Sequence, residues 1–177
     1  MTRPDEALWV LRAQCGDRDA LERLLVDVQP ALRRYLASLV GPADAEDLVQ
    51  DVLLQVYRKL GWLRAPELFR PWAFRIASRL AFRHLRAKRR LPRDAGEQEL
   101  DTIPAAAEPP TAGELAAIPA IAGVSPASRA VLNLHFQHDL TLAEVAVVLD
   151  IPLGTVRSRL AYGLAVLRKL LQEKRST

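Results

Sequence analysis

FRPWAFRIASRLAFRHLRAKRRLPR, residues 69–93, decides how the chain is read. It carries Arg70, Arg75, Arg79, Arg83, Arg86, Lys88, Arg89, Arg90 and Arg93 without a single acid. Arg75, Arg79, Arg83, Arg86 and Arg90 recur at spacings of three and four, which places them on one face of a helix. Ala73, Phe74, Ile76, Ala77, Leu80, Ala81, Leu85 and Ala87 collect on the other side as an apolar docking face. Pro71 suits the first helical turn, where a missing N–H costs nothing. At 1.5 Å per residue the guanidinium ridge is roughly 20 Å long, a shape that can lie along phosphates. A merely solvated face would mix signs, because like charges four residues apart repel.

The rest of the chain is compatible with a nucleic-acid partner. Its 177 residues, half of them hydrophobic, fit one large or two small domains, and the net charge is +4. No long uncharged apolar run occurs, so neither a signal peptide nor a membrane span is expected, and the expected location is cytoplasmic. Cys15 is the sole cysteine; it excludes an internal disulfide and reads as a small buried apolar residue.

Before the basic helix, a short helix over residues 5–15 offers Leu8, Leu11 and Cys15 for packing. Asp19, with Glu22 three residues on, reads as the cap of a longer helix carrying Leu24, Val28, Leu32, Tyr35, Leu36 and Leu39, which Gly41-Pro42 ends. DAEDLVQDVLLQVYRKL, residues 44–60, divides into two faces. Ala45, Leu48, Val49, Val52, Leu53, Val56 and Leu60 form its core side, while Asp47, Gln50, Asp51, Leu54 and Arg58 face away. A leucine among acids and an amide fits a protein-binding patch with an apolar centre, or a single exposed leucine of no consequence. In GWLRAPELF, residues 61–69, Pro66 forces an irregular connection. Trp62 there reads as core, while Phe69 and Trp72 fit either the core or base stacking.

DAEDLVQDVLLQVYRKL followed by FRPWAFRIASRLAFRHLRAKRR resembles the central helices of the first domain of bacterial RNA polymerase sigma factors of the small, extracytoplasmic-function (ECF) type. The resemblance implies that Asp47, Gln50, Asp51, Leu54 and Gln55 contact the clamp of the polymerase's largest subunit. It implies also that Arg64, Phe69, Trp72, Arg75, Arg79, Arg83, Arg86 and Arg90 recognise and open the minus-ten promoter element.

From Leu91 to Gly113 the composition turns proline-rich and acidic, with Pro92, Pro104, Pro109, Pro110, Asp94, Glu97, Glu99, Asp101 and Glu108, which reads as a linker. Beyond it Ser125-Pro126 opens a helix. His135 and His138, three residues apart, are too few to make a metal site persuasive. Thr141 and Glu144 form a capping box, Asp150-Ile151-Pro152 turns the chain, and a last helix from Leu153 carries Val156, Leu160, Leu164 and Leu167 in one stripe. A short capped helix, a tight turn and a second helix with polar and basic first turns make either a helix-turn-helix or a purely structural helix pair.

VSPASRAVLNLHFQHDLTLAEVAVVLDIPLGTVRSRL, residues 124–160, is similar to the second sigma domain, with GTVRSRL its most recognisable part. By that resemblance Thr155, Arg157, Ser158, Arg159 and Tyr162 meet the minus-thirty-five element, and the polymerase flap is a further partner. Two departures stand out. The family often has asparagine where Arg79 stands and an acid at Arg83, and it usually continues after GTVRSRL with more cations than Ala161, Tyr162, Gly163 and Leu164. Gly163 inside a helix is expected to cost about 1 kcal/mol relative to alanine.

The expected architecture is therefore all-α: two small helical domains, 1–90 and 114–177, joined by a flexible linker over 91–113, the second ending in a helix-turn-helix. The resemblance implies a transcription initiation factor with core RNA polymerase and promoter DNA as partners, an anti-sigma protein as regulator, and no cofactor. The rivals are a free-standing dimeric helix-turn-helix regulator and a nucleic-acid enzyme. The enzyme would need a convergent catalytic set, which Cys15 and three scattered histidines do not suggest.

Overall fold

The computed structural model describes residues 4–89 and 123–175. Arg90, the linker and residues 114–122 lie outside the described residues. Within them every regular element is helical, and the chain divides into two compact units, Met1–His84 and Leu85–Thr177, the boundary falling inside the last turns of the basic helix.

In the first unit α1 spans Pro4–Gln14, α2 Arg18–Val40, α3 Pro42–Lys59 and α4 Phe69–Arg89, with 3-10 turns at Leu60–Trp62 and Pro66–Leu68 between α3 and α4. Gly16, at φ 94°, ends α1 and delivers Asp17 in extended conformation. Asp17, not Asp19, is consequently the cap of α2: its carboxylate accepts from the Ala20 N–H at 3.0 Å and from Arg12 Nε at 2.8 Å. Those bonds, the Ala20 amide first, hold its carboxyl below the usual range. Asp19 is the second residue of the helix, exposed in its first turn.

Leu24, Val28, Leu32, Tyr35, Leu36 and Leu39 of α2 meet Leu48, Val49, Val52 and Val56 of α3 in the core, with Phe69, Ala73, Phe74, Ala77, Leu80 and Ala81 of α4 also buried. Tyr35 lies edge-on to Phe74, ring centroids 5.4 Å apart, and shares a 2.7 Å hydrogen bond with Ser78 Oγ. Burial pushes the Tyr35 phenol above the ordinary tyrosine range, with the Ser78 bond opposing that shift. Because the folded state holds this proton more tightly than the unfolded chain, stability is complete below about pH 10 and falls as pH rises beyond it. Tyr35→Phe should cost about 1 kcal/mol at neutral pH and flatten that alkaline loss, checked by urea unfolding across pH.

α1 does not pack as its leucines suggest. Leu8 and Leu11 are half exposed and Cys15 is exposed, whereas Val10 and Glu6 face inward. Arg70 explains the rotation: its Nε lies 2.7 Å from the buried Glu6 carboxylate, and its Nη2 reaches Asp27 at 2.5 Å. This cation of the basic run therefore ties α1, α2 and α4 together and is no part of the exposed ridge.

In the second unit α5 spans Pro126–Leu132, capped by Ser125, and widens into a π turn over Asn133–Gln137. α6 spans Leu142–Leu149 behind the capping box, with Thr141 Oγ1 accepting from the Glu144 N–H at 3.2 Å and Glu144 Oε2 from the Thr141 N–H at 2.8 Å. Asp150, left-handed at φ 59°, reverses the chain into α7, Leu153–Arg175. Val124, Leu132, Leu164 and Leu167 form the core, flanked by Phe136, Leu160, Val166 and Leu170. Gly163 is buried where α5 and α7 meet: a Cβ there would lie 2.9 Å from Leu132 Cδ1 and 3.4 Å from Ser128 Cβ. The glycine is thus the condition for close helix contact, which offsets its poor helix propensity.

Candidate nucleic-acid and partner interface

The outward face of α3 presents Asp47, Gln50 and Asp51 exposed, with Leu54 at 45% exposure. Gln55 is half buried and accepts from Lys59 Nζ at 3.2 Å. Tyr57, 60% exposed one turn beyond Leu54, belongs to the same side and was missed because its spacing alone does not separate core from surface. The patch has an apolar centre of Leu54 and Tyr57 beside acids and amides.

The basic ridge is present but shorter than its arginine count. Arg79, Arg83 and Arg86 are exposed, while Arg75 is partly enclosed. The α4 residues beneath them are buried, so the helix is anchored on one side. His84 is half buried, with Nε2 3.2 Å from Asp44 in the first turn of α3.

The aromatics divide between core and surface, and Trp62 falls on the side opposite to its reading. Phe69 is fully buried, so as placed it fills the core and offers no face to a base. Trp72, its ring centroid 6.3 Å from that of Phe69, is partly exposed. Trp62, expected in the core, is 85% exposed, because Leu60 takes the inward position of its 3-10 turn. Arg64 is exposed on the same connection. Gln14 of α1, which no sequence signal singled out, donates from Nε2 to the carbonyls of Leu60 and Leu63 at 2.9 and 2.8 Å.

In the second unit Arg157 is exposed in the early turns of α7, and Thr155, Ser158, Arg159 and Tyr162 are partly exposed. Ser158 donates its hydroxyl to the Gly154 carbonyl at 3.0 Å, leaving its lone pairs to accept. His135 Nδ1 is engaged with the Leu140 carbonyl at 2.7 Å.

Residues 24–91 match the family description Sigma-70 region 2, and residues 120–169 match Sigma-70, region 4. The ECF RNA polymerase sigma-E factor of Escherichia coli K12 is 31% identical over 168 aligned positions, covering 88% of each chain. The chain belongs to the ECF sigma factors. The RNA polymerase sigma-H factor of Pseudomonas aeruginosa is 28% identical, covering 97% of this chain and 96% of its own. The fold is shared with CnrH, solved with the cytosolic domain of CnrY, at TM-score 0.65 and 21% identity over 95% of this chain and 97% of that one. It is shared also with the sigma factor RpoE of Bartonella quintana, solved with the anti-sigma factor NepR, at TM-score 0.64 and 24% identity over 85% and 96%.

As an ECF sigma factor the protein directs RNA polymerase to promoter DNA, and the free-standing regulator is not favoured. Among the described residues no helix is long and apolar enough to cross a membrane.

Proposed function

We propose that this sigma factor works through three separate faces and by binding alone, without catalysis. The α3 patch around Leu54 attaches to the polymerase clamp. The connection carrying Trp62 and Arg64, with Trp72 and the α4 ridge, receives the opened strand of the minus-ten element. The first turns of α7 read base edges at the minus-thirty-five element through Arg157, Ser158 and Arg159.

The observation that carries the reading is the α4 ridge itself: Arg79, Arg83 and Arg86 stand exposed on a helix whose opposite side is buried. Cations fixed in that way release counterions when phosphates replace water, and unstacked bases gain from nearby aromatic faces. Strand separation is then driven by binding energy and requires no acid, base or metal. CnrH was solved with the cytosolic domain of CnrY and the Bartonella quintana RpoE with the anti-sigma factor NepR, which supports an anti-sigma protein as regulator here.

The test is transcription in vitro by cognate core polymerase on genomic DNA, with transcript 5′ ends mapped to define the promoters. Initiation should require the wild-type chain, and the double variant Asp51→Arg, Leu54→Arg should bind core at least about tenfold more weakly, since a central apolar contact is lost and a carboxylate reversed. Unchanged core affinity in that variant would remove the polymerase contact from α3. Tight duplex binding by the chain alone as a dimer, without core, would restore the free-standing regulator.

A further inference from the structure

α1 precedes the residues that match Sigma-70 region 2, yet it packs against both 3-10 turns that lead into α4. The turns have modest internal ties: the Leu63 N–H donates to Leu60 at 3.0 Å and the Leu68 N–H to Ala65 at 2.9 Å, each closing one turn. Gln14 adds a side-chain tie from α1 to the first turn, whose Leu60 side chain is already buried. A carboxamide NH2 carries two donors, and here one goes to each of two carbonyls three residues apart, in partly buried surroundings. Leu60 and the amide hold the inner side of the connection while Trp62 and Arg64 are turned to solvent.

We propose that Gln14 is a positioning residue for promoter opening, its carboxamide fixing residues 60–63 in the shape that receives the displaced strand. The inference rests on the strand-capture reading above. A connection ordered in advance does not have to be ordered at the moment of binding, so the gain appears as affinity for the single strand. Gln14 touches no nucleotide in this scheme; it acts through the backbone that carries Trp62 and Arg64.

The experiment uses the full chain assembled with core polymerase and a fluorescein-labelled single strand bearing the minus-ten sequence of a promoter mapped as described. Gln14→Met keeps the length without donors, and Gln14→Glu keeps the shape but sets acceptors against two carbonyls. Measured well below the unfolding temperature, both should weaken the single strand about tenfold while leaving affinity for core unchanged. A residue that only stabilised the fold would lower the unfolding temperature and leave that affinity where it was, and this result overturns the proposal. Arg79→Ala, Arg83→Ala is the companion variant. Weakening by the arginine changes but not by those at Gln14 removes the positioning role alone. If neither weakens the strand, the capture reading falls and the positioning role falls with it.

Discussion

Arg70→Met is expected to destabilise the first unit by about 3 kcal/mol, because removing the cation of a buried ion pair leaves a desolvated carboxylate short of that countercharge. Glu6 is 2% exposed, with Arg70 Nε 2.7 Å away, so bulk water does not readily take the place of that guanidinium. The figure lies at the low end for buried pairs since Arg70 itself is 25% exposed. Asp27, 29% exposed, can turn to solvent and adds little. Glu6→Leu combined with Arg70→Met should recover most of the loss, as apolar replacements of whole buried pairs commonly do. Urea unfolding followed by tryptophan fluorescence reads this directly, since Trp9, Trp62 and Trp72 all lie in the first unit. A change within about 0.5 kcal/mol, the size of an ordinary surface substitution, would mean that the pair does not hold α1 in place.

Gly163→Leu should cost the second unit about 3 kcal/mol through overpacking. The added carbons start 2.9 Å from Leu132 Cδ1 and 3.3 Å from its Cγ, and Leu132 is completely buried, so it has no free volume to retreat into. α5 and α7 must separate, which disturbs the packing of Val124, Leu164 and Leu167 that aligns α7. Gly163→Ala is the informative neighbour: a single methyl meets the same atoms, but the helix gains about 1 kcal/mol in propensity, so the net change should be small. Thermal unfolding followed by circular dichroism separates the two substitutions, and an unshifted transition for Gly163→Leu would show that the helices are not held at this distance by the glycine.

Much of the fold was legible because its signals are local. The Thr141–Glu144 box, the Ser125-Pro126 start, the Gly41-Pro42 break and the two faces of α3 each lie within one or two helical turns, where period and capping chemistry suffice. What escaped depends on partners far away in sequence. Gln14 finds its carbonyls 46 and 49 residues on, and the anchoring role of Arg70 was hidden within the basic run because its acids sit on α1 and α2. Asp19 and Asp17 are equally plausible caps until Gly16 is known to take positive φ. Trp62 was misassigned and Phe69 left open for a related reason: they lie in or beside short 3-10 turns, where no 3.6-residue period distinguishes inside from outside. For the candidate site, the exposed arginines and the acidic face around Leu54 were visible from spacing, whereas the connection between them was not.

Cys15 has a practical consequence. It is the chain's sole thiol and it stands exposed directly after α1. Maleimide chemistry on the wild-type chain therefore installs one dye at one position, without a cysteine-free background. That position adjoins Gln14, so energy transfer to a label on the displaced strand would time its arrival during initiation. The same accessibility makes oxidative crosslinking of two chains through this sulfur the expected fate of the protein when it is stored without reductant.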